Sequence, residues 1–183
     1  MKTQFTHEGL LNSKGCYSKE QALEFCQGRP EIVTIKEILE SEISIQDKRW
    51  FVYNSCDLSL DEKKKLCLKL AWIVLPIYEE KYPNDARIKA CLQATEDFYN
   101  GKITIEELKV KRSAANAAAA YANADAAYAA VDAANAYTYA AYANADDNAY
   151  AAAYAAVAAN AYTYAKNLTY TQKIQQALID FVI

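Results

Sequence analysis

Histidine occurs once in the 183 residues, at His7. A Cys-His or Ser-His-Asp arrangement would have to be built on that one ring, and a two-histidine metal motif is excluded. Glycine is scarce too: four residues, with no run that would cradle a phosphate. The five cysteines, Cys16, Cys26, Cys56, Cys67 and Cys91, are odd in number and contain no CxxC pair. That pattern reads as buried free thiols in a reducing cytosol rather than disulfides or a zinc site. No apolar run approaches the roughly 20 residues that span a bilayer. Residues 1–8 lack the apolar core of a secretion signal. Positive charge is thin: the net charge is −3, and past Arg112 only Lys166 and Lys173 are basic. A nucleic-acid binder would show a basic patch, and a DNA mimic would carry far more carboxylates. These absences leave a non-catalytic, cytoplasmic chain with no cofactor, no metal, no nucleic-acid partner and no membrane partner.

What is present in quantity is alanine and tyrosine. Residues 113–165 are more than half alanine and hold no glycine or proline. Alanine loses no side-chain entropy in a helix and crowds no neighbouring turn, so the stretch is expected to be helical. Aromatics recur through it, which sets it apart from a disordered low-complexity tract. Tyr121, Ala124, Tyr128, Val131, Asn135, Thr138 and Tyr142 step by three and four along one helical stripe. Tyr150, Tyr154, Val157, Ala161, Tyr164 and Leu168 form a second stripe, one residue out of phase. The slip falls at Asp146, Asp147 and Asn148, types that favour caps and turns, and a helix break is expected there. The two carboxylates at 146 and 147 read as a solvated turn rather than as acid-base or metal ligands. An unbroken helix of about 50 residues would be roughly 75 Å long, against a radius of gyration near 16 Å for a compact chain of this size. A folded-back hairpin is expected, with a second break between residues 114 and 136.

The tract repeats itself. Tyr-Ala-Asn-Ala-Asp at 121–125 returns at 142–146, and Asn-Ala-Tyr-Thr-Tyr-Ala at 135–140 returns at 160–165. Each copy reads as one helix and a turn. Alanine faces let helices approach closely, and the tyrosine rings supply apolar area while their hydroxyls need water or a partner. The rings serve either as core and boundary packing or as an exposed ladder. Tyr137 and Tyr139 lie about 200° apart on a helix, as do Tyr162 and Tyr164, so neither pair can bury both rings on one face. Tyr137, Tyr139, Tyr162 and Tyr164, with Tyr121 and Tyr142, are the candidate partner-binding residues.

Elsewhere the helix starts are local and legible. Capping boxes stand at Ser18–Gln21, Thr34–Glu37, Ser59–Glu62, Thr104–Glu107 and Thr169–Gln172. Residues 1–15 read as an irregular or short-strand lead-in, with His7 mobile. The first helix turns Ala22, Leu23, Phe25 and Cys26 inward, the second Ile35, Ile38 and Leu39. Residues 46–54, with Trp50, Phe51 and Tyr53, form a short anchoring helix. The next helix places Leu66, Cys67, Leu70, Ile73, Val74 and Ile77 on one side, with Trp72 near the edge. Pro76 should kink or end it. A turn at 82–85 follows, Asn84 or Asp85 capping a helix to Tyr99 with Ile88, Cys91, Leu92, Thr95 and Phe98 inward. Gly101 sits where a left-handed residue ends that helix. Arg87 is expected to pair with an acid such as Glu80, and Cys67 and Cys91 to be core thiols. The last helix, with Ile174, Ala177, Leu178 and Phe181, is amphipathic and docks on the body or on a partner.

The order of these pieces resembles the alanine-rich Imm-5-like immunity group of bacteria and their phages and prophages. The residues that carry the likeness are Leu23-Glu-Phe after Cys16, Trp50 in its aromatic cluster, and the Cys67 helix ending Val-Leu-Pro-Ile-Tyr. Asp85-Ala-Arg-Ile-Lys-Ala-Cys-Leu-Gln-Ala, Asn100-Gly-Lys and the Glu-Glu-Leu lead-in to the tract follow. Where the group carries Arg-Pro, this chain has Arg87-Ile88. The likeness runs to about residue 165 and implies a binder that neutralises a toxin or defence component.

The reading is an all-α protein: short N-terminal helices (1–112), long Ala/Tyr-rich helices folded back as a hairpin or bundle (113–167), and a C-terminal amphipathic helix (168–183), in one compact unit. Its expected partner is a protein, a toxin or defence component, met in the host bacterial cytoplasm if the chain is phage-encoded. Two other uses are weighed against this: sequestering a small nucleotide signal between tyrosine-bearing helices, and a structural spacer. The Ala-rich helices or the last helix also offer a contact to a second copy.

Overall fold

Local signals start most of the elements. The computed structural model describes residues 1–12, 18–122 and 168–183. Among them are strand β1 (Gln4–Thr6), helices α1 (His7–Asn12) and α2 (Lys19–Cys26), strand β2 (Ile32–Thr34), and helices α3 (Ile35–Glu40), α4 (Ile45–Ser55), α5 (Leu60–Lys81), α6 (Arg87–Tyr99), α7 (Ile105–Ala122) and α8 (Leu168–Val182). The fold is all-α, with one minor strand pair. The contacts divide it into two compact units, Met1–Ser59 with Thr171–Ile183, and Leu60–Tyr170.

In the first unit β1 and β2 pair antiparallel, with Gln4 opposite Thr34, Phe5 opposite Val33 and Thr6 opposite Ile32. Alternation sends Phe5 and Val33 inward and their neighbours out. The Phe5 ring meets Phe51 of α4 edge-on, centroids 4.6 Å apart. The lead-in is therefore strand and helix, and the His7 amide donates to Glu31 O at 3.1 Å. The box at Ser18 closes in both directions: Gln21 N–H donates to Ser18 Oγ and Ser18 N–H to Gln21 Oε1. Thr34 and Glu37 do the same at α3. Ile35, Ile38 and Leu39 are buried as expected, as are Ala22 and Cys26, but Leu23 is 52% exposed. Ser44, one residue before α4, accepts from Asp47 N–H and starts that helix earlier than its aromatic cluster implied. Phe51 and Tyr53 are buried and Trp50 is half-buried.

The last helix joins this unit. Ile174, Ala177, Leu178 and Val182 of α8 are buried, and Lys48 Nζ of α4 donates to Gln175 Oε1 at 3.2 Å. Thr169 does not cap α8, because the helix is already formed at Leu168. Phe181 is half-buried, and Val182 takes the inward place.

The second unit is built on α5, α6 and α7. Leu66, Cys67 and Leu70 of α5 are buried and Ile73 is half-buried. Val74 and Ile77 fall outside the described side chains. A further row, Leu68, Ala71, Leu75 and Tyr78, is buried with Ile88, Cys91 and Leu92 of α6 and Leu108, Ala115 and Ala118 of α7 in one cluster. Alpha5 thus buries more than one stripe, as a helix packed on several sides must. It also continues past Pro76 to Lys81. The proline ring is exposed, so the fold tolerates it on the outer side rather than ending the helix there.

After α6, Gly101 takes φ +70, a left-handed conformation that costs glycine nothing. Thr104 and Glu107 then form the box that opens α7, Glu107 N–H donating to Thr104 Oγ1 and Thr104 N–H to Glu107 Oε2. Alpha7 continues unbroken to Ala122, so the first ten residues of the alanine tract are helical and no break occurs before Ala122. Ala115 and Ala118 are essentially inaccessible, as methyl faces in a helix packing are expected to be. Residues 123–167, with the break at 146–148, and Cys16 lie outside the described residues.

Candidate functional site

Tyr137, Tyr139, Tyr142, Tyr162 and Tyr164 lie outside the described residues, and Tyr121 is in the last turn of α7 with its ring outside the described side chains. The polar arrangements that are described belong to other parts of the chain.

The first is the turn between α5 and α6. Asp85 accepts from Arg87 Nε at 2.9 Å, from Arg87 Nη2 at 2.6 Å, from the Arg87 amide at 3.1 Å and from the Tyr78 hydroxyl at 2.8 Å. The N-cap of α6 is Ala86 rather than Asn84 or Asp85, and Asp85, one residue earlier, accepts from the first helical amide. Arg87 pairs with Asp85, two residues away, and not with Glu80. The fork of the guanidinium matches the carboxylate bidentately. That guanidinium, then the Arg87 amide and the Tyr78 hydroxyl, hold the Asp85 carboxyl well below the usual carboxylate range. Burial, reinforced by its bond to Asp85, pushes Tyr78 up to about 12. All three groups are engaged with one another, and the arrangement ties a turn.

The second is a trough of about 540 Å³ between α5 and α6. Leu68, Trp72 and Ile73 of α5 and Tyr99 of α6 line it. Lys65, Lys69, Glu96 and Asn100 line the remainder. Tyr99 Oη donates to Asp61 at 3.0 Å, and the Lys65 ammonium lies 5.2 Å over the Tyr99 ring. That contact with Tyr99 raises the Lys65 pKa. The indole Nε1 of Trp72 is buried and has no hydrogen-bond partner among the described residues. Sequence reasoning placed Trp72 at a helix edge but did not join it to Tyr99, 27 positions on. The available signal was the Lys65, Lys69, Trp72 spacing along one helix side.

The reactive side chains are held inside. Cys26, Cys56, Cys67 and Cys91 are free and buried. Burial pushes Cys56 and Cys91 up to about 12, and it raises Cys26. Such thiols are protonated at neutral pH and poor nucleophiles. His7, expected to be mobile, is the first residue of α1, its Nδ1 3.6 Å from Glu31 and its Nε2 buried without a hydrogen-bond partner among the described residues. Among the described residues no group of three His, Cys, Asp or Glu is placed to hold a metal ion, and no helix is long and apolar enough to cross a membrane. Three successive charged residues of α4, Asp47, Lys48 and Arg49, are buried, which their sequence position did not reveal. Burial lowers the Lys48 pKa.

Residues 62–180 match the family described as Imm-5 like putative immunity protein. That match spans well over half of the chain, and the chain belongs to this family. It begins in the first turn of α5 and ends within α8, taking in the Asp85 turn and the trough. Residues 23–61, where the resemblance was also read, lie outside it, and it extends past residue 165. No curated protein and no solved structure matches the chain.

Proposed function

We propose that this chain is a non-catalytic immunity protein that neutralises a bacterial toxin or defence protein by binding it. The observation that carries the reading is the family match over residues 62–180. The placement of the reactive groups supports it: the described thiols are enclosed, and the single histidine lies against Glu31 beside the strand pair. An inhibitor of this kind works by occupying a surface, so it needs rigid aromatic anchors more than it needs titratable groups. It would act in the bacterial cytoplasm, whether carried beside a toxin or by a phage against a host defence.

The test is affinity purification of the tagged full-length chain from its native bacterial host, followed by expression of any stoichiometric partner alone. The expected result is a partner that arrests growth by itself and ceases to do so when the chain is co-expressed. Recovery of the chain with no stoichiometric protein, or of a partner whose toxicity the chain leaves unchanged, would overturn the reading.

A further inference from the structure

We propose that Asn100 is a site of spontaneous covalent modification: through the Gly101 amide it loses ammonia and becomes aspartate or isoaspartate, at a rate set by the C-terminal cap of α6, whatever the chain binds. Of the asparagines in the chain, Asn100 alone precedes a glycine. The reaction needs the amide nitrogen of the following residue to reach the asparagine Cγ. That nitrogen gives up its proton to hydroxide and bonds to Cγ. The side-chain nitrogen takes up a proton from water and leaves as ammonia, and a five-membered succinimide remains. Water then opens the ring at either carbonyl. One opening gives aspartate, the other isoaspartate, in which the backbone runs through the former side chain. Glycine favours the first step, because it has no Cβ to crowd its own nitrogen. Asn100 and Gly101 are both exposed, so water and hydroxide reach them.

The fold holds that same nitrogen back. Gly101 N–H donates to Phe98 O at 3.0 Å, beside the Asn100 N–H bond to Glu96 O at 2.9 Å and the Lys102 N–H bond to Asp97 O at 2.8 Å. Asn100 has φ −85° and ψ 5°. A ψ near zero eclipses the Gly101 nitrogen with the Asn100 nitrogen and so turns it away from the side chain on the same Cα. Attack therefore requires the last turn of α6 to open: the bond to Phe98 O breaks and ψ rotates. Phe98 and Ile103, packed against the core of α5, α6 and α7, resist that opening. Helix ends open locally at lower free energy than the whole chain, so the reaction is slowed and not abolished.

Neither product fits the cap. Isoaspartate lengthens the backbone by a methylene between amides that are matched to three α6 carbonyls. Aspartate keeps the backbone but adds a carboxylate at the negative end of the α6 dipole, in a chain whose net charge is already −3. The modified chain is weaker at the turn between α6 and α7, and the change marks the age of the molecule.

The experiment holds the full-length chain in mildly alkaline buffer, once native and once unfolded in guanidinium chloride, with samples taken over weeks. Peptide mapping by mass spectrometry locates each deamidated asparagine, and enzymatic methylation from S-adenosylmethionine counts isoaspartate. The expected result is product at Asn100 ahead of every other asparagine in both states, formed about tenfold more slowly in the native chain. The native acidic product should melt below the parent. Phe98→Ala removes a ring that seats the last turn of α6. It should speed the native reaction several-fold and leave the unfolded rate unchanged, with circular dichroism showing that it is folded. Should that variant fail to fold, the ratio of native to unfolded rates in the parent chain decides. Equal rates in the two states, another asparagine reacting first in the native chain, or no native product at Asn100 while the unfolded chain converts would overturn the proposal. So would a folded Phe98→Ala chain that reacts at the parent rate.

Discussion

At the scale of single residues, Asp85 accepts four hydrogen bonds, and its pairing sets a pH dependence. It joins the end of α5, through Tyr78, to the start of α6, through the Arg87 amide and guanidinium. The unfolded chain has an aspartate pKa of about 3.9, and the folded value is lower. The stabilisation is therefore complete above the unfolded pKa and is lost as the pH falls towards the folded one. Asp85→Asn is expected to cost about 1–2 kcal/mol at neutral pH, the half-exposed guanidinium allowing solvent to screen part of the pair. Urea titrations should find the gap between the two proteins steady above about pH 5 and closing below about pH 4. A gap independent of pH would mean that the asparagine acts by distorting the turn and not through charge. The thiols yield a second expectation at this scale. Cys56 and Cys91, buried and pushed up to about 12, should resist alkylation at neutral pH in the folded protein and react fully in denaturant, read by site-resolved mass spectrometry. Rapid labelling of either in the native protein would contradict their burial.

At the scale of elements, α5 carries an internal proline without ending. Pro76 has no N–H to give to the carbonyl four residues back, and its ring is exposed, so nothing packed depends on it. Pro76→Ala should raise the thermal midpoint, corresponding to a gain on the order of 1 kcal/mol; a lower midpoint would show that the proline is needed to seat Leu75 and Tyr78. The same helix explains what could and could not be read beforehand. Capping boxes at Ser18, Thr34 and Thr104 were legible because both partners lie within one turn and no tertiary contact is needed. Gly101 was legible because a left-handed backbone has a residue preference. The second buried row of α5 was not, since Leu68, Leu75 and Tyr78 look like an ordinary flank until α6 and α7 cover them. Arg87 was assigned to Glu80 from proximity along the chain, but a carboxylate at the helix start satisfies the amide and the guanidinium together. The trough was invisible for a related reason: Trp72 and Tyr99 meet only through the packing of two helices. Thr169 matched a capping pattern inside a helix that was already under way, where the pattern has no N-terminus to cap.

At the scale of the whole molecule, the chain visits its first unit twice. Residues 1–59 begin it, and α8 completes it after the chain has built the second unit and the tyrosine tract. The sequence suggested one division by composition, at residues 112 and 167, whereas the contacts gather Met1–Ser59 with Thr171–Ile183. Composition marks where alanine begins, but burial depends on which apolar faces meet, and those of α8 belong with α4. If the units are separate in energy as well as in contacts, damage should stay local. Leu178→Ala in α8, at a position with no exposure, is expected to cost roughly 3 kcal/mol. Hydrogen exchange should then quicken in α4 and in the β1–β2 pair while α6 and α7 keep their protection. Leu108→Ala in α7, equally enclosed, should do the opposite. Loss of protection throughout both units in both variants would mean that the two units unfold as one cooperative body.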